Sequence, residues 1–437
     1  MIRLFRRLLY LILPLTLFFS FNKLNAQTWS SVGDGAYGGY VYSLCPFDSV
    51  LYAGGTFIGP GNHIAQWDGN TWKALGSGIN GDVYAMSVYK DSLYAGGYFS
   101  NAGGYSAANI AGWSGKQWFP LQQGMKNSVY AIDTFHNSLC VENNYLGGIG
   151  LWTGKKWSPG IGAPFSLYSV NAMTVFKGNL YVAASGNLKR GSVFMSGTVV
   201  GYLYEYIAST KKWKQIAVFP DNYNITNAEC LAIYNNNLYI GGTFDSANHK
   251  PANNIAVCDG DSIIDAVGIG TSGPVNALTV YRGALYIGGL FDSAGGKPAN
   301  NIACWNDTNW SALGSGVNNE VFALAPFKGD LYVGGGFTSP GNYVAKYNST
   351  IIPDVTYGYN VQITPNPNYG TFMVTSESIN ANSKIEIYNV MGQNVYEFGL
   401  NGHSTEIAIN GCAQGVYFYR VLGPANEKIA TGKFIVL

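Results

Sequence analysis

Residues Leu51–Phe57 read LYAGGTF, and this segment recurs along the chain. Close copies begin at Leu93, Leu238, Leu285 and Leu331, and the more divergent LCVENNY and LYVAASG begin at Leu139 and Leu180. Successive starts lie 42, 46, 41, 58, 47 and 46 residues apart. Periods of about 20–50 residues are typical of solenoids, propellers and other repeat arrays. The sequence therefore predicts seven copies of one structural unit.

Each copy is predicted to be a meander of four antiparallel strands. In the second copy, Val83–Tyr89 forms the first strand and hairpin residues begin at Lys90. The second strand ends on two glycines, whose missing side chains permit close backbone approach. Strand three is Asn109–Trp113, and strand four starts at a second tryptophan, Trp118. Four short apolar segments separated by turn residues indicate such a sheet.

Side-chain size changes across the unit in a way that favours one global arrangement. The first strand carries a small residue at one fixed place, and the third and fourth strands carry tryptophans in most copies. The small residues are Ser43, Ala85, Ala131, Ala172, Cys230, Ala277 and Ala323. Sheets that radiate from an axis crowd at the centre and diverge outward, so small side chains belong inside. This gradient predicts a β-propeller rather than a straight solenoid.

The two ends of the repeat region predict that the propeller closes on itself. The last copy stops at Tyr347 without a fourth-strand tryptophan, whereas TWSSVG at Thr28–Gly33 resembles the fourth strand TWKALG at Thr71. The N-terminal segment should supply the missing strand and remove a sheet edge. We attribute the 58-residue interval to longer loops in the fourth unit, mainly Ala183–Val199. The predicted fold is all-β: a seven-bladed β-propeller over residues 27–350, closed by an N-terminal strand.

The paired glycines followed by spaced aromatic residues resemble the kelch repeat and the propeller of galactose oxidase, from Gln27 to Ser349. The fourth unit departs from the pattern with Tyr206 and Trp213, and the fifth lacks both tryptophans. The resemblance implies a fold. It does not imply an activity, because propellers host unrelated functions.

A different composition follows a linker at residues 351–360. Residues 361–437 contain alternating or apolar segments bounded by Gly, Asn or Pro, which predict a small antiparallel β-sandwich. They closely resemble the type A C-terminal sorting domain of the type nine secretion system of Bacteroidetes. The resemblance rests on Pro365, Asn366, Pro367, Gly370, Phe372, Gly392, Gly415, Tyr417 and the terminal segment Lys433–Val436.

This resemblance implies that the secretion machinery is a partner, and that the protein is secreted or held at the outer-membrane surface. Cys412 departs from the family, which usually has Leu at that position. Whether the tail is removed after export is left open. The alternative is an ordinary terminal binding sandwich.

The first 26 residues are predicted to be a signal peptide. Arg3, Arg6 and Arg7 precede an apolar run at Leu8–Phe21, and cleavage is expected between Ala26 and Gln27. An uncleaved anchor is the alternative, although the run is short for a membrane span. The net charge of +1 becomes −3 when the four basic residues of this leader are removed. No basic patch indicates nucleic acid, and no later segment could span a bilayer as a helix.

The sequence contains no recognisable catalytic or metal-binding motif. The four histidines are scattered, with no spacing suited to copper or another metal, and no cofactor is expected. The six cysteines fall at unlike places in the repeat, which favours buried thiols over disulfides. DGNTW at Asp68 resembles an incomplete Asp box of sialidases, but an Asp-Gly hairpin turn explains it.

One position breaks the repeat. The residue before the small one is aromatic in four units, at Tyr42, Tyr84, Tyr130 and Phe322, and polar in the other three, at Asn171, Glu229 and Asn276. Glu229 could face a central cleft with Lys189 and Arg190 of the enlarged fourth unit, and these polar residues form a candidate ligand mouth. Alternatively, Glu229 is satisfied locally at the start of its strand.

We therefore expect a secreted, non-catalytic recognition or adhesion module that binds a surface glycan or a protein. A secreted carbohydrate-active enzyme and a structural surface-layer component are the alternatives, so an enzymatic role stays open. Two or more acids, or a histidine, converging on the central channel would favour the enzyme.

Overall fold

The computed structural model describes residues 28–143, 148–162, 167–190, 193–220, 226–348 and 361–437. Within the last range, it leaves out 367, 377–378, 380, 390–393, 410–411 and 424–427. The predicted signal peptide, the cleavage pair Ala26 and Gln27, and the linker at 351–360 lie outside the described residues. No described residue is helical, and the named strands pair in antiparallel sheets.

The repeat region forms seven four-stranded sheets, here numbered one to seven. Their strands, from first to fourth, are Val41–Phe47, Val50–Gly55, Ile64–Trp67 and Trp72–Ala74 in sheet one; Asp82–Tyr89, Ser92–Tyr98, Ile110–Trp113 and Trp118–Pro120 in sheet two; Ile132–Phe135, Ser138–Asn143, Gly148–Trp152 and Trp157–Ser158 in sheet three; and Leu167–Phe176, Asn179–Arg190, Val193–Ile207 and Lys212–Phe219 in sheet four.

The remaining three sheets repeat this order. They comprise Asn227–Tyr234, Asn237–Thr243, Ile255–Cys258 and Ile263–Ala266 in sheet five; Val275–Tyr281, Ala284–Gly289, Ile302–Trp305 and Trp310–Ala312 in sheet six; and Val321–Phe327, Asp330–Gly335, Val344–Asn348 and Thr28–Ser31 in sheet seven. Sheets two, five and six each carry a small hairpin: Asn101–Ala102 with Tyr105–Ser106, Ser246–Ala247 with Lys250–Pro251, and Ser293–Ala294 with Lys297–Pro298.

The first strands of successive sheets pack against one another, and the order of contacts returns to its start. Val321–Phe327 of sheet seven contacts Val41–Phe47 of sheet one. The predicted pairing of the N-terminal segment is present, since Thr28–Ser31 pairs with Val344–Asn348 and places Trp29 opposite Tyr347. The N-terminal segment thus covers the edge of the last sheet.

The double glycine determines how closely neighbouring sheets approach. A Cβ atom on Gly54 would lie 2.5 Å from Cγ1 of Val83, which belongs to the first strand of the next sheet. The same relation recurs at Gly96, Gly241, Gly288 and Gly334, and the last of these packs against Val41 of sheet one. A Cβ atom on the second glycine, Gly55, would collide with the carbonyl of Tyr40 in its own sheet. Glycine permits both approaches in these five sheets, whereas Ala183 and Ala184 occupy the two positions in sheet four.

Tryptophans of the fourth strands connect neighbouring sheets by hydrogen bonds. In six sheets, the indole N–H of the fourth-strand tryptophan donates to a main-chain carbonyl that follows the fourth strand of the preceding sheet. These bonds are Trp29 to Leu313 (2.8 Å), Trp72 to Val32 (2.8 Å), Trp118 to Leu75 (2.9 Å), Trp157 to Leu121 (3.1 Å), Trp213 to Ile161 (3.0 Å) and Trp310 to Val267 (3.1 Å). Sheet five has no fourth-strand tryptophan to make this bond.

The extra length of the fourth unit is strand, not the longer loop that the sequence analysis expected. Asn179–Arg190 and Val193–Ile207 pair along nearly their whole length, from Leu180 opposite Tyr206 to Arg190 opposite Val193. Their backbone hydrogen bonds are therefore satisfied within the hairpin, which extends well beyond the ordinary unit.

Sheet three departs from the others because Glu142 and Asn143 replace the two glycines. The Glu142 side chain is 3% exposed and accepts hydrogen bonds from the backbone N–H groups of Val170 (3.0 Å) and Tyr130 (3.4 Å). It thus links sheet three to sheet four. Burial raises the pKa of Glu142 to about 7, and the two N–H donors lower it only in part.

The tail forms two sheets that share one hydrophobic core. Gln362–Thr364, Thr371–Thr375 and Ser404–Ala408 make one sheet, and Asn394–Asn401, Ala381–Tyr388, Gly415–Leu422 and Lys428–Val436 make the other, each in that order. Phe372 and Val374 of the first sheet are buried together with Ile385 and Phe434 of the second. The predicted two-layer β arrangement of the tail is present.

We predict that stability falls as pH rises through neutrality because of Glu142. Its folded-state pKa lies above its ordinary value of 4.5, so its contribution is complete below about pH 4.5 and is lost as the pH rises through 7. The full loss is about 3 kcal/mol. Glu142→Gln, which resembles the protonated acid, should flatten the decline of Tm between pH 5 and pH 8.

Asp133→Asn is the matched control, because burial raises the pKa of Asp133 to about 6 and gives a separate decline at lower pH. Parallel Tm profiles for the wild type and Glu142→Gln would contradict the role assigned to Glu142.

We predict that removing the N-terminal strand destabilises the repeat region. A chain starting at Asp34 loses the Trp29 contact with Tyr347, the buried Val32 and the carbonyl that accepts the Trp72 indole bond, and it exposes a sheet edge. Urea unfolding should show a loss of several kcal/mol relative to a chain starting at Gln27. Equal stability of the two chains would argue against the closing role of this strand.

Candidate functional site

A backbone irregularity places one side chain of each first strand at a common site. In six sheets the pairing of the first and second strands skips one residue just before the small one, as at Tyr42 between Val41 and Ser43. The skipped residues are Tyr42, Tyr84, Asn171, Glu229, Asn276 and Phe322. Tyr130 takes the equivalent place ahead of the first strand of sheet three. Bulges of this kind re-aim a side chain. We call these seven residues the mouth.

The aromatic residues of the mouth form a continuous arc across four sheets. Ring centroids lie 5.0 Å apart for Phe322 and Tyr42, 5.7 Å for Tyr42 and Tyr84, and 4.9 Å for Tyr84 and Tyr130. The last pair is stacked, with an interplanar angle of 12°. Tyr130 is 45% exposed at the end of the arc. The arc therefore offers aromatic surface to a ligand.

The polar residues of the mouth are held by neighbouring sheets. Asn171 accepts from the Ser169 hydroxyl at 2.6 Å and donates to the carbonyl of Ala228 in sheet five at 2.9 Å. Asn276 donates to the carboxylate of Glu320 in sheet seven at 2.8 Å. These bonds fix the amides, while the half-buried side chains stay within reach of solvent.

Two carboxylates interact in this polar part. Burial raises the pKa of Glu229, the charge of Glu320 raises it further, and a hydrogen bond with Asn227 lowers it. Lys189 and Arg190 lie near the distal end of the long hairpin, and their side chains fall outside the described part of the structure. The hypothesis that they accompany Glu229 stays a prediction.

Sequence reasoning missed Glu320 and Asp82, which occupy equivalent places two residues before the skipped residue. Asp82 accepts a hydrogen bond from the Tyr84 hydroxyl at 3.1 Å. An alignment of the seven copies would have shown that this place holds Tyr, Ser, Asn or Pro elsewhere. The position of Glu320 and Asp82 lies next to the mouth because of the bulge, and the sequence does not reveal that bulge.

The mouth contains hydrogen-bonding and stacking groups. Within the described residues, no group of three or more His, Cys, Asp or Glu could hold a metal ion. All six cysteines are free thiols. The Asp68 carboxylate accepts from the backbone N–H groups of Asn70 and Thr71, which is the hairpin-turn role expected from the sequence.

The sorting motif of the tail secures the C-terminal strand. The Asn366 side chain accepts from the backbone N–H of Ile435 at 2.9 Å. The backbone of Asn368 bonds both Ile435 and Leu437 at 2.9 Å. The N–H of Gly370, with φ +91°, donates to the Asn368 side chain at 2.8 Å.

Aromatic residues also pack against the C-terminal strand. The ring of Phe372, which is 1% exposed, lies 4.7 Å from that of Phe434, and the Tyr417 ring stacks on Phe434 at 5.7 Å. Gly415 begins the strand that carries Tyr417. Pro367 and Gly392 lie outside the described residues.

Residues 362–437 match the model of the secretion system C-terminal sorting domain. This match indicates interaction with the type nine secretion machinery and export through it to the cell surface or the extracellular space. No helix among the described residues is long and apolar enough to cross a bilayer. Among curated proteins, no sequence matches this chain.

Three solved structures resemble the chain weakly. PorZ of Porphyromonas gingivalis, a surface component of the type nine secretion system, is 14% identical with a TM-score of 0.37, and the match covers 89% of this chain and 64% of PorZ. The extracellular domain of BT4673 from Bacteroides thetaiotaomicron is 11% identical with a TM-score of 0.48, covering 94% and 58%. A fungal alcohol oxidase of the AA5 family is 12% identical with a TM-score of 0.32, covering 94% and 100%.

The chain thus spans less than two thirds of the length of the first two structures. These identities and TM-scores are too low to assign an activity to this chain from the three structures.

We predict that the tail is required for export. In a host with the type nine system, deletion of residues 361–437 should leave the protein in the periplasm, because the element that matches the sorting domain is gone. Asn366→Ala should reduce the secreted fraction severalfold by loosening the C-terminal strand. Tyr369→Ala is the control, since Tyr369 is 84% exposed. Immunoblots of periplasm and medium measure the location of the deleted chain and the secreted fraction of the point variants. Secretion of the deleted chain into the medium would contradict the prediction.

Proposed function

We propose that the repeat region is a seven-bladed β-propeller of the kelch-like type. Seven four-stranded sheets, first strands that contact in a closed order and an N-terminal fourth strand in sheet seven support this assignment. So does the gradient of residue size, with small residues on the contacting first strands and tryptophans on the outer ones. On this assignment, the mouth surrounds one end of the central channel.

The function that we propose is non-catalytic recognition of a surface glycan by this exported propeller. The observation that carries it is the two-part mouth, in which the aromatic arc lies across from amides and carboxylates. Aromatic faces stack on the C–H surfaces of sugar rings, and fixed amides and carboxylates bond their hydroxyls. A rigid scaffold that presents such groups needs little reorganisation on binding.

A glycan suits this mouth better than a protein does. The centres of protein interfaces are typically poor in charged residues and rich in apolar anchors. Here the polar half of the mouth contains Asn171, Glu229 and Asn276, and Glu320 lies beside it, bonded to Asn276. Hydroxyl groups of a sugar would satisfy these polar groups.

A secreted carbohydrate-active enzyme is the second candidate, and the two acids favour it. A glycosidase uses one carboxyl with a raised pKa as the acid and a second carboxylate as base or nucleophile. The raised pKa of Glu229 and the nearby charge of Glu320 resemble that division. Screening the secreted protein on polysaccharides, with Glu229→Gln as the inactive variant, tests this candidate.

We predict that Tyr130→Ala weakens glycan binding about tenfold on a glycan array, because it removes an exposed stacking surface. Tyr105→Ala is the control, since Tyr105 has similar exposure (50% against 45%) and lies on the small hairpin of sheet two. The mature chain from Gln27 is used. Absence of binding to every glycan, or equal losses in the two variants, would refute glycan recognition by the mouth.

A further inference from the structure

A cavity of about 990 Å³ lies beside the mouth, among the loops of sheets one to three. Its lining includes His63, Asp82, Tyr98, Gln123 and Lys126. This volume is at the upper end of the about 300–1,000 Å³ range of small-molecule sites, so the cavity has room for more than one sugar residue. Tyr98 is 66% exposed there and offers a second aromatic surface.

Asp82 connects this cavity with the mouth. One of its oxygens accepts from the hydroxyl of Tyr84 in the aromatic arc at 3.1 Å, and the other lies 3.6 Å from Nδ1 of His63 in the cavity. The two sites are therefore adjacent and share a carboxylate.

The repeat is altered where it lines this cavity. Three copies place an asparagine with positive φ just before the third strand, at Asn109, Asn254 and Asn301. Each holds its own loop, as when Asn109 accepts from the N–H of Phe99 and donates to the carbonyl of Met125. His63 has the same backbone conformation, with φ 64°, but its Nδ1 lies near Gly55 O and Asp82 instead. The first copy, which lines the cavity together with the second, thus carries at this position a residue that approaches Asp82.

We infer that the mouth and the cavity bind one linear, neutral oligosaccharide that passes over Tyr84 and Asp82 into a second subsite at Tyr98 and His63. This inference rests on the proposed glycan recognition and adds the length and charge of the ligand. A linear chain suits the elongated site, since successive sugars can stack on the arc and on Tyr98. Acidic sugars are disfavoured because the three carboxylates of Asp82, Glu229 and Glu320 outnumber Lys126, the one basic residue besides His63 in the cavity lining.

The test measures dissociation constants of the mature chain by calorimetry, with cello-, laminari-, manno- and xylo-oligosaccharides of one to six residues. In the series that binds, affinity should rise at least about tenfold between two and five residues, since more sugars gain contacts. Tyr98→Ala and His63→Asn should each reduce the ratio of long-chain to short-chain affinity about three- to tenfold. His63→Asn introduces the residue that three other copies carry at this position, so the loop should stay folded.

Tyr105→Ala, on the small hairpin of sheet two and outside the cavity lining, is the control and should keep the wild-type ratio. An affinity that stops rising at two residues, unchanged ratios in both variants, or preference for oligouronides would overturn the second subsite while leaving glycan recognition intact. Failure to bind any glycan would overturn both proposals.

Discussion

The architecture depends on close contact between the second strand of a sheet and the beginning of the next sheet, which a glycine permits in five of the seven sheets. At Gly54 the valine of the neighbouring strand occupies the space that a side chain would fill, and the same glycine–valine contact joins sheet seven to sheet one. Dispersion contacts at this distance are lost if the sheets separate even slightly. The glycine therefore sets the spacing of the sheets, and the indole bonds of the fourth-strand tryptophans hold their outer parts at that spacing.

The mouth forms beside the second glycine. In five sheets this glycine lies against the carbonyl of a residue that precedes the bulge, and the bulge turns one side chain out of the regular pairing. Sheet four has the same bulge with Ala184 at the second position. Those side chains are not needed for the core, so they can differ between copies. The mouth contains four aromatic and three polar residues. It is therefore asymmetric, although the units that form it are similar. Sheet three, where Glu142 replaces the first glycine, contacts sheet four through the hydrogen bond from Val170 N–H to Glu142 instead.

Export and the proposed recognition reside in separate elements of the chain. The sorting tail has its own core, and its motif residues hold the last strand through Asn366, Asn368 and Phe372. The repeat region carries the mouth and the adjoining cavity. On the proposed function, the tail determines where the protein goes and the loops of the repeat region determine what it binds.

The sequence by itself determined the strand pattern, the seven units, the pairing of Thr28–Ser31 with the last sheet and the nature of the tail, because these follow from local periodicity, turn residues and short motifs. It also identified the place of Tyr42 and Glu229 as the one where copies differ. Only the tertiary structure decided that the long insertion is paired strand, that Glu320 and Asp82 bond to residues of the mouth, and that Glu142 bridges two sheets. Those features depend on which side chains from distant copies meet, on burial and on a one-residue shift of register, and none of these is a property of a single segment.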